Sequence, residues 1–146
     1  MGQNSALALG YEEWLKDFSW EWFCSLTYRG YPPSTKAMRT LKQWLAELKT
    51  ENGSAGFGYF FALESGASGE NFHWHGLTTG LRDATERLRW LQRWWEIAGE
   101  GQIAYFDPDG NGIAYMLKHV RPGFDDGIIF ELPRNRTTQH QHDDTE

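Results

Sequence analysis

The chain has one cysteine, no apolar run long enough to enter a membrane, and fewer bases than acids. Each shortage excludes something. Cys24 alone cannot close an internal disulfide or build a thiolate zinc site, so stability must come from packing, and a reducing, cytoplasmic setting is the expectation. A membrane span needs about 18 consecutive apolar residues, and the start, Met1 to Gly10, lacks the basic-then-apolar order of a secretory signal. No membrane partner is expected. Fourteen Lys plus Arg against twenty Asp plus Glu leave a net charge of -6, the wrong sign for a surface that grips phosphates everywhere. No Gly-x4-Gly-Lys-Ser/Thr pattern occurs, which removes the phosphate-binding loop of an ATP-driven motor.

What is present is one domain's worth of globular sequence: 146 residues, 40% hydrophobic and 23% charged. Aromatics reach 16% with eight Trp, and such rings serve either as core or as stacking platforms for bases. The acidic excess is uneven, because residues 1–21 hold four acids and one base and residues 134–146 three acids and two bases. The stretch between is left at -2, and within it Lys36, Arg39, Lys42 and Lys49 oppose only Glu47. That run is either a local basic face or the solvated side of a helix.

Apolar spacing predicts a helix over Tyr11–Phe18, a strand over Trp20–Arg29 and a helix opened by Pro32-Pro33-Ser34 and running through Lys49. Strands follow at Phe57–Ser65 and Phe72–Gly80, joined by the Gly- and Ser-rich loop Gly66–Asn71. Asp83 caps the next helix, whose predicted buried stripe is Leu81, Leu88, Leu91 and Trp95. A short strand at Gln102–Phe106, a helix at Ile113–Val120 and a last strand at Gly127–Leu132 complete the order. The sum is an α+β chain of the ferredoxin-like or RRM-like type (split βαβ). It is an antiparallel sheet of about five strands with two helices on one face and a short helix after it. Residues 1–19 read as a helical extension, 20–133 as the domain and 134–146, without an apolar residue, as a disordered tail.

Strand alternation sorts the side chains. Trp20, Trp22, Cys24, Leu26 and Tyr28 point to the core, as do Phe57, Tyr59, Phe61 and Leu63. Ser25, Thr27, Arg29, Glu64, His73 and His75 are then expected together on an uncovered face. Two imidazoles at i and i+2 with a carboxylate on the neighbouring strand can converge on one divalent ion, provided the register sets Glu64 across from His73. They can equally be a hydrogen-bonded surface pair. A second His-x-His, His140-Gln141-His142, sits in the polar tail without a scaffold. On the following helix Tyr115 and Lys118 share a face at i and i+3. A nearby ammonium favours a phenolate and can stabilise charge on an attacked phosphate, although this spacing is ordinary on any amphipathic helix.

Taken together, these segments resemble a known family, the HUH rolling-circle replication initiators of the single-tyrosine type. Phe23-Cys24-Ser25-Leu26-Thr27 is similar to their first motif, with Ser25 where many members have Thr. Phe72-His73-Trp74-His75-Gly76 is similar to the second, with Glu64 at the place of the third metal ligand. Ala114-Tyr115-Met116-Leu117-Lys118 is similar to the third, and His119 stands at a place often aromatic. The resemblance implies a site-specific single-stranded DNA nickase and strand transferase. Glu64, His73 and His75 would hold Mn²⁺ or Mg²⁺, and Tyr115, assisted by Lys118, would form a 5′-phosphotyrosine and free a 3′-hydroxyl. Ser25, Thr27 and Arg29, with the bases near Lys36 and Lys42, would contact the DNA. The implied partners are single-stranded DNA at a replication origin and a host or separately encoded helicase and polymerase.

Two other readings use the same residues. A non-catalytic single-stranded nucleic-acid-binding module would use the aromatic surface but leave Glu64, the His pair and Tyr115 without a task. A metal oxygenase also uses two His and one carboxylate, but such sites favour double-sheet β folds, against which the two long helical patterns stand.

Overall fold

The computed structural model describes residues 4–65, 72–120 and 127–134. The expected loop at Gly66–Asn71 and the polar tail from 135 onward, with His140 and His142, lie outside the described residues. In chain order the elements are α1 (Ala6–Leu15), β1 (Trp22–Thr27), α2 (Ser34–Asn52), β2 (Gly58–Ser65), β3 (Phe72–Thr79), α3 (Arg87–Ile97), β4 (Gly101–Tyr105), α4 (Gly112–Met116) and β5 (Ile128–Glu131). The five strands form one sheet in the order β4-β1-β3-β2-β5, with every neighbouring pair antiparallel. Strand β3 is therefore inserted between β1 and β2, which is the split βαβ arrangement expected, with β5 added at one edge.

One face of the sheet is the main core. Trp22, Cys24 and Leu26 of β1, Phe61 of β2, Trp74 of β3 and Ile103 of β4 meet Leu41, Trp44, Leu45 and Leu48 of α2 and Trp90 and Trp94 of α3. The buried indoles find acceptors, as buried Trp must: Trp94 Nε1 donates to the Thr27 carbonyl at 2.8 Å, Trp44 to Trp90 at 3.0 Å and Trp22 to Ala84 at 2.8 Å. Phe61 lies directly over Gly76, its cross-strand partner, where an added Cβ would come within 2.2 Å of the ring.

Two expectations need correction. Of the stripe expected on α3, Leu81 and Leu91 pack against the core, but the buried residues are Trp90 and Trp94, whereas Leu88 is 72% and Trp95 49% exposed. A 3-10 turn, Ala84–Glu86, precedes the helix; it winds tighter than 3.6 residues per turn, so counting forward from Leu81 arrives out of phase. The second correction concerns the face expected to be uncovered. Phe60 and Ala62 of β2 and Leu77 of β3 pack there with Ala8 and Leu15 of α1, Ile113 and Met116 of α4, and Leu117 and Val120 beyond it. Helix α1 starts at Ala6, earlier than the predicted Tyr11, because Ser5 caps it by accepting from the Ala8 amide at 3.1 Å. The Ser5 hydroxyl also donates to the Val120 carbonyl and Asn4 Nδ2 to the Ala114 carbonyl, which fastens α1 to the segment carrying Tyr115.

Candidate active site

The polar group occupies the part of this second face that the apolar roof leaves open. The registers place Glu64 opposite His73, Thr27 opposite His73 on the other side, and Ser25 opposite His75. The strand phase on which the candidate metal ligands depend is thus the one expected.

Within the group His75 is the hub. It is 8% exposed; its Nε2 lies 2.8 Å from Glu64 Oε1, and its Nδ1 lies 3.2 Å from Ser25 Oγ. Burial, foremost, pushes the imidazole below its ordinary pKa, against the pull of Glu64, so the ring is neutral near pH 7. With one proton, it donates from Nε2 to the carboxylate and accepts at Nδ1 from the Ser25 hydroxyl. The rings of Phe23 and Tyr115 hold it in place, at centroid distances of 6.2 Å and 5.3 Å, the latter edge to face.

Glu64 collects the positive groups. Burial works against its charge, but the hydrogen bond from His75 and the ammonium of Lys118, with the neighbouring imidazoles of His75 and His119, outweigh it and hold the carboxyl below the usual range. Lys118 Nζ is 3.6 Å and His119 Nε2 3.5 Å from Oε2. His119 was not anticipated as part of the site, although it lies only one residue beyond Lys118.

Tyr115 is 50% exposed, and Lys118 Nζ sits 3.5 Å from its ring centroid. The reason lies in the backbone. Helix α4 ends at Met116, one full turn earlier than expected, and the next amides bond three residues back: Lys118 N to Tyr115 O at 3.3 Å and Val120 N to Leu117 O at 3.0 Å. In such tight turns residues i and i+3 eclipse, which swings the ammonium over the ring, a cation-π contact. The same short tether keeps it close to Glu64.

Other expected members stand apart. The Arg29 guanidinium lies over the Trp95 ring at 4.7 Å and bonds the Trp95 carbonyl, so it is committed to the end of α3 and not to the His-Glu group. Thr27 Oγ1 donates to the Glu100 carbonyl at 3.0 Å. Ser25 is occupied by His75, which makes it a positioning residue for the imidazole.

The donor types fit a divalent cation: two imidazoles and a carboxylate on adjacent strands, with His75 neutral and Glu64 ionised, the states in which they ligate. Among the described residues, no three His, Cys, Asp or Glu side chains are already gathered as an ion site. Glu64 and His75 are bonded to each other instead.

A family model for the replication-associated protein ORF2/G2P matches residues 21–123, a span that runs from β1 past α4 and takes in Ser25, Glu64, His73, His75, Tyr115 and Lys118. The chain belongs to this replication-associated protein family. Membership gives the chain a role in the initiation of DNA replication, with DNA at an origin as its partner. No curated protein and no solved structure matches the chain. Among the described residues, no helix is long and apolar enough to cross a membrane.

Proposed function

We propose that this member of the replication-associated protein family is a single-stranded DNA nickase and strand transferase of the HUH single-tyrosine type. The observation that carries the reading is the half-exposed Tyr115, packed on the buried His75 and capped by Lys118 beside ionised Glu64.

In the reaction, the Tyr115 Oη–P bond forms as the P–O3′ bond breaks. The phenol proton ends on the departing oxygen, leaving a 3′-hydroxyl on one fragment and a 5′-phosphotyrosine on the protein. One phosphodiester replaces another, so no nucleotide triphosphate is consumed, and attack by a 3′-hydroxyl reverses the step and joins strands. Lys118, held over the Tyr115 ring, offers its charge to the phosphate oxygens. Glu64, His73 and His75 would hold Mn²⁺ or Mg²⁺, which when bound supplies Lewis-acid polarisation of the scissile phosphate. Ser25 suits either state of His75, because its hydroxyl donates to a bare Nδ1 and accepts from Nδ1–H once Nε2 is given to an ion.

The test is incubation with labelled single-stranded DNA and Mn²⁺ followed by denaturing electrophoresis. A denaturant-resistant protein–DNA adduct is expected, and chelation by EDTA abolishes it. Binding without any adduct would favour the non-catalytic module, and cleavage persisting in EDTA would remove the metal from the reading. The oxygenase reading gains nothing from a single sheet covered by helices.

A further inference from the structure

A groove of about 550 Å³ lies on the opposite face of the sheet, between α2 and the β2–β3 pair. Leu63, Phe72, Trp74 and Met38 form its apolar bed, and Arg39 and Lys42 stand on its rim. Each bed residue on a strand is the immediate neighbour of a candidate ligand: Leu63 precedes Glu64, Phe72 precedes His73, and Trp74 separates the two histidines. Groove and site therefore occupy the same end of the same two strands, back to back.

The charge on the rim is unspent among the described residues. Elsewhere on α2 the charged side chains are paired, Glu47 with Arg93 and Lys49 with Glu131. Lys36, Arg39 and Lys42, at successive three-residue steps, are exposed and form no ion pair with a described residue. A row of cations unpaired among the described residues, on a chain of net charge -6 and beside an apolar bed with a half-buried ring, fits a polyanion that also carries flat apolar faces. Single-stranded nucleic acid has that chemistry: phosphates for the rim and bases for the ring.

We propose that this groove holds a second stretch of the same single-stranded DNA whose phosphate lies at Tyr115, with Arg39 and Lys42 on its phosphates and a base on Phe72. The proposal rests on the nickase reading for the identity of the strand. It makes the β2–β3 end a post around which the substrate turns, so that the site prefers DNA long enough to reach both faces.

The experiment measures affinity of the full chain for labelled oligonucleotides of about 20 and about six nucleotides, lengths above and below what one such surface spans. For the longer one, Arg39→Gln/Lys42→Gln should weaken binding about tenfold and reduce the slope of log K on log salt by about 0.7 for each lost phosphate contact. The shorter one should show a far smaller penalty. Unchanged affinity and slope for the longer strand would overturn the proposal and assign the groove to another occupant, such as an acidic peptide. As a check independent of these variants, ultraviolet crosslinking of the wild-type complex should label the peptides bearing Met38 or Phe72. Crosslinks confined to the Tyr115 face would overturn it. An adduct at Tyr115 with no length dependence sinks the groove alone, whereas length-dependent binding without an adduct sinks the nickase alone.

Discussion

The two faces of the sheet are made from the same alternating strands yet end differently. On the α2–α3 face, large rings close over the sheet, the indoles of Trp22, Trp44 and Trp94 donate to backbone carbonyls, and that of Trp74 donates to the Tyr28 hydroxyl. On the other, α1 and α4 cover Phe60, Ala62 and Leu77 and stop. Beyond that roof the next residues along the strands are Glu64, His73 and His75, of which Glu64 and His75 are bonded to each other and Lys118 approaches the carboxylate. The first face holds the larger core. The second holds a half-exposed tyrosine against a buried histidine, and the roof is what positions the tyrosine.

The largest way to break the first face is Trp94→Ala. The indole is fully buried, edge to face with Trp44 at 5.8 Å, and bonded to the Thr27 and Glu100 carbonyls; its loss should cost about 4 kcal/mol in chemical denaturation. Phe60→Ala asks whether the second face is also core. A loss of about 3 kcal/mol is expected, since Phe60 is fully buried and stacked on Phe130; a change near zero would mean that α1 and α4 add little. Ser5→Ala removes the cap of α1 and its tie to Val120, which should cost about 1 kcal/mol by the same measurement, with a drop in adduct yield because Tyr115 loses its anchored neighbour.

Acid should act most weakly, through the paired charges of the helical face. Arg93 holds the Glu47 carboxyl below its ordinary value of 4.5. The unfolded chain therefore takes up this proton first, and the pair's contribution is complete above that value and lost as pH falls through the lowered one. Both side chains are about one-third exposed, so the loss should stay under about 1 kcal/mol. Comparing Glu47→Gln with the wild type across pH 5 to 2 isolates it; equal pH profiles would show that the pair contributes nothing.

Sequence alternation made the sheet and the Glu64–His73 register legible, because a hairpin with one buried face tolerates no one-residue slip. The α3 stripe is legible at Leu81 and Leu91 but not at Leu88 and Trp95, because the 3-10 turn ahead of Arg87 changes the helical phase without any mark in the apolar pattern. The cover provided by α1 was hidden because Ala6 to Leu15 includes small and apolar residues on several sides, so its inward face is set only by what it meets. Ser25 and Arg29 show the same limit. Alternation assigns a residue to a face, but not whether its hydroxyl or guanidinium is already taken by His75 or Trp95.

In the proposed reaction the half-exposed phenol beside His75 and Lys118 is the nucleophile. Digestion of the protein–DNA adduct and mass mapping of the nucleotide-bearing peptide tests it most directly. The account predicts a phosphotyrosyl nucleotide on Tyr115 and no adduct from Tyr115→Phe, which should fold with stability within about 0.5 kcal/mol of the wild type because the ring stays in place. A nucleotide on another residue, with Tyr105 the first to examine, or an undiminished adduct from Tyr115→Phe, would contradict it.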